Sequence, residues 1–173
     1  MLRRRSCTWL FFIIFPALTG CINPFAPDEM EGDPVADLLG DPSTIEGFYT
    51  RFQKAYELRD TTLYGPLIHP DFSFTFRDDE RNVDRTWHRS EEMDRTYSMF
   101  INSQDIQLQW NNITSEILED DKTQALIVRR FNLMLMDSQS QRFRALGSAS
   151  FRLTRRDSTE NWRLIYWRDE SDI

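Results

Sequence analysis

The sequence predicts an α+β domain in which helices come first and a long antiparallel sheet follows. Three observations carry this. Apolar residues recur at helical spacing from Ile45 to Tyr56, they alternate with polar ones from Phe72 onward, and Asp- and Asn-rich turns then divide the chain into successive strands. The composition supports a packed core: 40% of the 173 residues are hydrophobic and 13% aromatic, among them 13 Phe, which bury large areas. One domain of ordinary size is expected over residues 42–173.

The elements follow in order. Ser43, Thr44, Ile45 and Glu46 read as a capping box, and Pro42 keeps a helix from running in from upstream. Ile45, Phe48, Tyr49, Phe52 and Tyr56 then form one aromatic helix face. A short helix over residues 61–68 is made irregular by Gly65 and Pro66, and Phe72, Phe74 and Phe76 alternate as a strand does. Residues 77–85 read as a charged, self-paired loop. Ser90 is expected to cap a further helix, with Glu91 and Glu92 in its first turn, where they suit the helix dipole, and Met93, Tyr97 and Phe100 or Ile101 on its buried side.

Strands make up the rest. Ile106, Leu108 and Trp110 share a face until the phase shifts at Asn111 and Asn112, which predicts a bulge. Residues 124–136 form a long strand with both faces apolar, and Phe143, Ala145, Gly147, Ala149, Phe151 and Leu153 form one face of the next. A turn at 157–161 leads into the last strand, so the three hairpins make an antiparallel meander.

Residues 1–20 carry a different signal. Arg3, Arg4 and Arg5 precede an apolar run from Trp9 to Leu18 that ends at the small residues Thr19 and Gly20, the order of a secretory signal peptide. The run is about half of the roughly 20 residues needed to span a bilayer. Leu18, Thr19, Gly20 and Cys21 resemble the lipobox of bacterial lipoproteins. The resemblance implies cleavage after Gly20, lipid on Cys21 and an envelope location, with the membrane as the partner of that lipid. No Asp follows the Cys, which leans toward the outer membrane, facing the periplasm. Residues 21–41, with Pro24, Pro27, Pro34 and several acids, read as a solvated tether whose Val35, Leu38 and Leu39 could dock on the domain.

Both cysteines, Cys7 and Cys21, precede the domain, so no disulfide or catalytic thiolate is expected in it. Loss of Arg3, Arg4 and Arg5 would take the net charge from -7 to -10, a balance that argues against a nucleic-acid partner.

The domain resembles the NTF2-like (cystatin-like) superfamily, particularly its SnoaL-like branch. The resemblance rests on the aromatic opening helix, the H-P-D-F-S-F-T-F passage at residues 69–76, the helix from Ser90 and the closing N-W-R-L-I-Y-W-R-D at residues 161–169. It implies a cone, with N-terminal helices packed on a curved antiparallel sheet around an apolar pocket, and pairing of two copies through the outer sheet face. Enzymes of this fold place Asp, His or Tyr inside the cone, whereas the face from Phe143 to Leu153 offers only Phe, Ala, Gly and Leu. That contrast weighs against catalysis. His69 with Asp71, or His88 with Glu92, are the candidates for an acid/base pair or part of a metal site, but no third ligand accompanies them, and neither metal nor cofactor is expected. Trp87, Tyr97, Trp110, Arg129, Trp167 and Asp169 are the candidates to line a pocket. The reading is a non-enzymatic, membrane-anchored module that binds a small apolar ligand or a protein. The alternative is a SnoaL-like isomerase or hydrolase acting on a small apolar substrate.

Overall fold

The computed structural model describes residues 34–78 and 80–172. The expected signal peptide, Cys21 and most of the expected tether lie outside the described residues. Six residues of the expected tether are helical: α1 spans Pro34–Leu39, where Leu38 is exposed and Leu39 half-buried.

A pair of glycines holds the turn that follows α1. Gly40 adopts φ +83°, and a Cβ there would lie 2.4 Å from the carbonyl oxygen of Gly47. A Cβ on Gly47 would come within 1.9 Å of the Asp41 carbonyl oxygen, so the first turn of α2 accepts only glycine at that point. The helix α2 spans Ile45–Leu58. Thr44 is its N-cap and accepts the Gly47 N–H at 3.0 Å, while Ser43 binds the Asp41 carboxylate instead. Glu46 does not close a capping box. It reaches out to Arg129 at 2.9 Å.

Asp60 caps the short α3 (Thr61–Tyr64), which runs into a 3-10 turn at Gly65–Leu67. Asp60 and Asp157 each accept hydrogen bonds from the side chain and backbone of a residue two positions on, which holds both carboxyls below the usual range.

The strand β1 (Ile68–Asp78) turns back into β2 (Val83–His88). The charged segment read as a loop is therefore largely a hairpin. Its charges do pair with one another, Arg77 with Asp84 and both Arg81 and Arg85 with Asp78. Next, α4 (Arg89–Asn102) begins one residue before Ser90, with His88 at the N-cap position and no side-chain cap bond. Four strands follow: β3 (Ser103–Leu118), β4 (Gln124–Asp137), β5 (Arg142–Thr154) and β6 (Arg163–Asp172). The β3/β4 register shifts between Trp110 and Ile113, at the expected bulge.

The sheet order is β2-β1-β6-β5-β4-β3. Every neighbouring pair is antiparallel except β1/β6, because the last strand returns beside the first instead of at the open edge. α2 packs on β3, and α4 on β1 and β2. Phe151 of β5 sits at the centre, fully buried, with Tyr49 stacked at 5.5 Å and Phe52, Trp110 and Trp167 at 5.6, 5.6 and 5.1 Å between ring centroids. On the outer face Ile117, Leu126, Val128, Met134 and Leu146 remain exposed or half-buried. Among the described residues, no helix is long and apolar enough to cross a membrane.

Candidate functional site

The inner face of the sheet, α2 and α4 line a cavity of about 310 Å³ that opens to solvent. Phe52 and Tyr56 reach it from α2, Phe74 from β1 and Trp87 from β2. Trp110, Phe131 and Trp167 line it from the sheet, with Leu108, Leu133 and Ala145 between them. Its ionisable groups are Glu92 and Arg95 on α4, Asp169 on β6, and the Tyr56 phenol.

Glu92 is the best-held of these. Its side chain is buried on the core side of α4, in register with Thr96 one turn later. Oε1 accepts from the Tyr64 hydroxyl at 2.6 Å and from the Thr96 hydroxyl at 3.0 Å, and Oε2 accepts from the Trp87 indole N–H at 2.7 Å. Such charge-assisted bonds are what allow a carboxylate to sit in apolar surroundings. Behind it, burial pushes the phenols of Tyr64 and Tyr56 well above their ordinary pKa, so both stay protonated donors.

The Trp87 ring is fixed on several sides. It stacks on Phe74 at 4.1 Å, and the Arg95 guanidinium lies 4.5 Å from its centroid. Arg95 also binds Glu91 through two nitrogens at 3.0 and 2.7 Å. The indole N–H groups of Trp110 and Trp167 are buried and have no hydrogen-bond partner among the described residues.

The structure thus brings Trp87, Trp110, Trp167 and Asp169 together on one cavity wall, and leaves Tyr97 and Arg129 outside it. Tyr97 is 56% exposed, because α4 is turned to bury Glu92, Thr96 and Phe100. Arg129 lies across the Tyr49 ring at 4.7 Å, pairs with Glu46 and donates to the Asn111 carbonyl at 2.9 Å, tying down the β3 bulge. His69 and Asp71 are also remote from the cavity. His69 Nδ1 accepts the Asp71 N–H at 3.1 Å beside a polar recess formed with Arg155, Arg156 and Arg163. His88 is exposed at the start of α4, while Glu92 is buried and turned toward Trp87, so the structure places the two side chains in different surroundings. Among the described residues, no group of three or more His, Cys, Asp or Glu side chains is placed to hold a metal ion.

Sequence reasoning missed Glu92, Thr96 and Arg95 as cavity residues. The signal that would have found Glu92 and Thr96 is the stripe Glu92, Thr96, Met99 and Phe100, which has helical spacing but is half polar; Arg95 lies beside that stripe and has no such signal.

Solved structures share this plan. A conserved protein from Planctomyces limnophilus superposes with a TM-score of 0.63 at 12% identity, over 74% of this chain and 93% of that one. A protein of Novosphingobium aromaticivorans assigned as a scytalone dehydratase gives 0.61 at 11% identity, over 75% and 82%. A hexachlorocyclohexane dehydrochlorinase (LinA, type 2) gives 0.59 at 11% identity, over 75% and 83%.

The domain has the NTF2-like fold.

At these identities the likeness concerns the fold alone. A scan against family models and a search of curated proteins return no match for the chain. The cavity of the NTF2-like domain is apolar on the β5 side, and two carboxylates enter it: Asp169 from β6, one of the candidates named from the sequence, and Glu92 from α4, which the sequence reading did not place there.

Proposed function

We propose that the NTF2-like domain binds a small, largely apolar molecule in the aromatic cavity without transforming it, and that the chain carries this domain on a lipid anchor in a bacterial envelope. One observation carries the binding reading: a cavity of about 310 Å³ lined by three Phe and three Trp rings together with aliphatic side chains, whose buried carboxylate has both oxygens engaged by protein donors. Its volume equals that of roughly ten liquid waters, which suits a one- or two-ring ligand. Substituting Ala145 by Phe places a ring in the cavity. Titration with the neutral, environment-sensitive fluorophore N-phenyl-1-naphthylamine should show binding to the unmodified chain and a loss of about tenfold or more in the variant. Equal affinity would place the probe elsewhere.

The anchor rests on the L-T-G-C motif at residues 18–21. Cys21→Ser should move the protein from the membrane to the soluble fraction on cell fractionation, and persistence in the membrane refutes lipidation. The outer membrane, facing the periplasm, is the location that the residues after Cys21 favour.

Pairing of two copies through the outer sheet face is supported by Ile117, Leu126 and Val128 on one side of Arg130 and Asn132, and Met134 and Leu146 on the other, apolar side chains that a second copy would cover. Sedimentation should give a dimer that Val128→Glu converts to monomer. An unmodified chain that sediments as a monomer ends this proposal.

A second reading has its own observation. Glu92 and Asp169 line one cavity, an arrangement that serves acid/base chemistry such as isomerisation or elimination. Dehydratase and dehydrochlorinase activities are named for neighbours of this fold. On this reading the carboxylates, not His69, Asp71 or His88, would act. Turnover of a bound candidate that disappears in Asp169→Asn would favour the enzyme over the binding module.

A further inference from the structure

We infer that the cavity selects a cationic ligand: a small organic ammonium group carried on an apolar or aromatic body. The inference deepens the binding reading above and rests on it. Rings from Phe52, Phe74, Trp87, Trp110, Phe131 and Trp167 surround one space. Aromatic faces carry negative potential, and a desolvated cation is drawn to them.

The polar groups point the same way. The Trp87 N–H is committed to Glu92, and those of Trp110 and Trp167 are closed off in the packing, so all three tryptophans present ring carbon to a ligand and no donor. Glu92 takes its three hydrogen bonds from neutral groups, and among the described residues it forms no ion pair. Asp169 adds a second carboxylate to the wall. Among the described residues Arg95 is the one cation in the lining. Its charge is offset by Glu91, its side chain is 57% exposed, and it already lies against the Trp87 ring. The lining thus holds two carboxylates and one guanidinium that is shared with Glu91, and one of its rings is engaged by a cation from the protein itself. A ligand that brought its own ammonium would meet ring faces and carboxylates, whereas an anion would meet the carboxylates with one shared guanidinium to answer it.

Three probes of nearly equal shape decide the matter: phenyltrimethylammonium, tert-butylbenzene and benzenesulfonate, titrated into the full chain with tryptophan fluorescence as the readout. Phenyltrimethylammonium should bind about tenfold more tightly than tert-butylbenzene, with benzenesulfonate weakest. In Glu92→Gln, which keeps the shape of the side chain, the ammonium-to-neutral ratio should fall to about threefold or less. Arg95→Ala, at an exposed side chain, should strengthen ammonium binding. Equal affinity for the ammonium and the neutral probe overturns the inference while leaving the binding reading intact. Tightest binding by benzenesulfonate also overturns it and assigns Arg95 as an anion contact. Weaker ammonium binding in Arg95→Ala, or an unchanged ratio in a folded Glu92→Gln, contradicts the assigned roles. Failure of all three probes removes the binding reading and the inference together.

Discussion

Phe151→Ala should lower the stability of the domain by about 3–5 kcal/mol, measured as the change in free energy of unfolding in urea. The ring is fully buried and touches rings from both α2 and the sheet, namely Phe48, Tyr49, Phe52, Trp110 and Trp167. Its removal takes away the transfer free energy of a Phe and leaves a gap that large, mutually wedged rings cannot close. Because Phe52, Trp110 and Trp167 also line the cavity, the variant should bind any cavity ligand less tightly. A loss below about 1 kcal/mol would mean that the aromatic cluster does not organise the fold as described.

Glu92→Ala should cost about 2–4 kcal/mol, for the opposite kind of reason. The carboxylate itself is expensive to bury, but deleting it alone strands the Tyr64 hydroxyl, the Trp87 N–H and the Thr96 hydroxyl in a place they were built to share with it. The Trp87 ring should then lose its fixed orientation, so its fluorescence anisotropy should fall along with the stability. A variant as stable as the unmodified protein would show that the desolvation of Glu92 outweighs its three hydrogen bonds.

These two residues mark how far the sequence could be read. Phe151 was legible: it lies in strict alternation with Ala149 and Leu153, and the turns on either side set its strand. The aromatic opening helix, the bulge after Trp110 and the meander were legible for the same reason, since local periodicity dictates them. The hairpin from Asp78 to Val83 was obscured because β2 is an exposed edge strand with hardly any apolar alternation. The parallel contact of β6 with β1 joins residues about ninety positions apart, and no local pattern encodes it. Glu92 was misread because an apolar template prefers Tyr97 and Ile101 as the inner stripe of α4. What turns the helix the other way is the donors on α3 and β2, whose proximity appears only in three dimensions. Trp87, Trp110, Trp167 and Asp169 could be nominated one by one, but their meeting on one wall depends on the curvature of the sheet.

Crystals of the protein soaked with 1-bromonaphthalene, with the bromine located from its anomalous signal, test the central claim most directly. The account predicts one principal bromine peak inside the cavity, in contact with the rings of Trp110 and Trp167, and its loss in Ala145→Phe crystals. A cavity without a peak, in crystals whose only bromine sites lie on the outer surface, would contradict it.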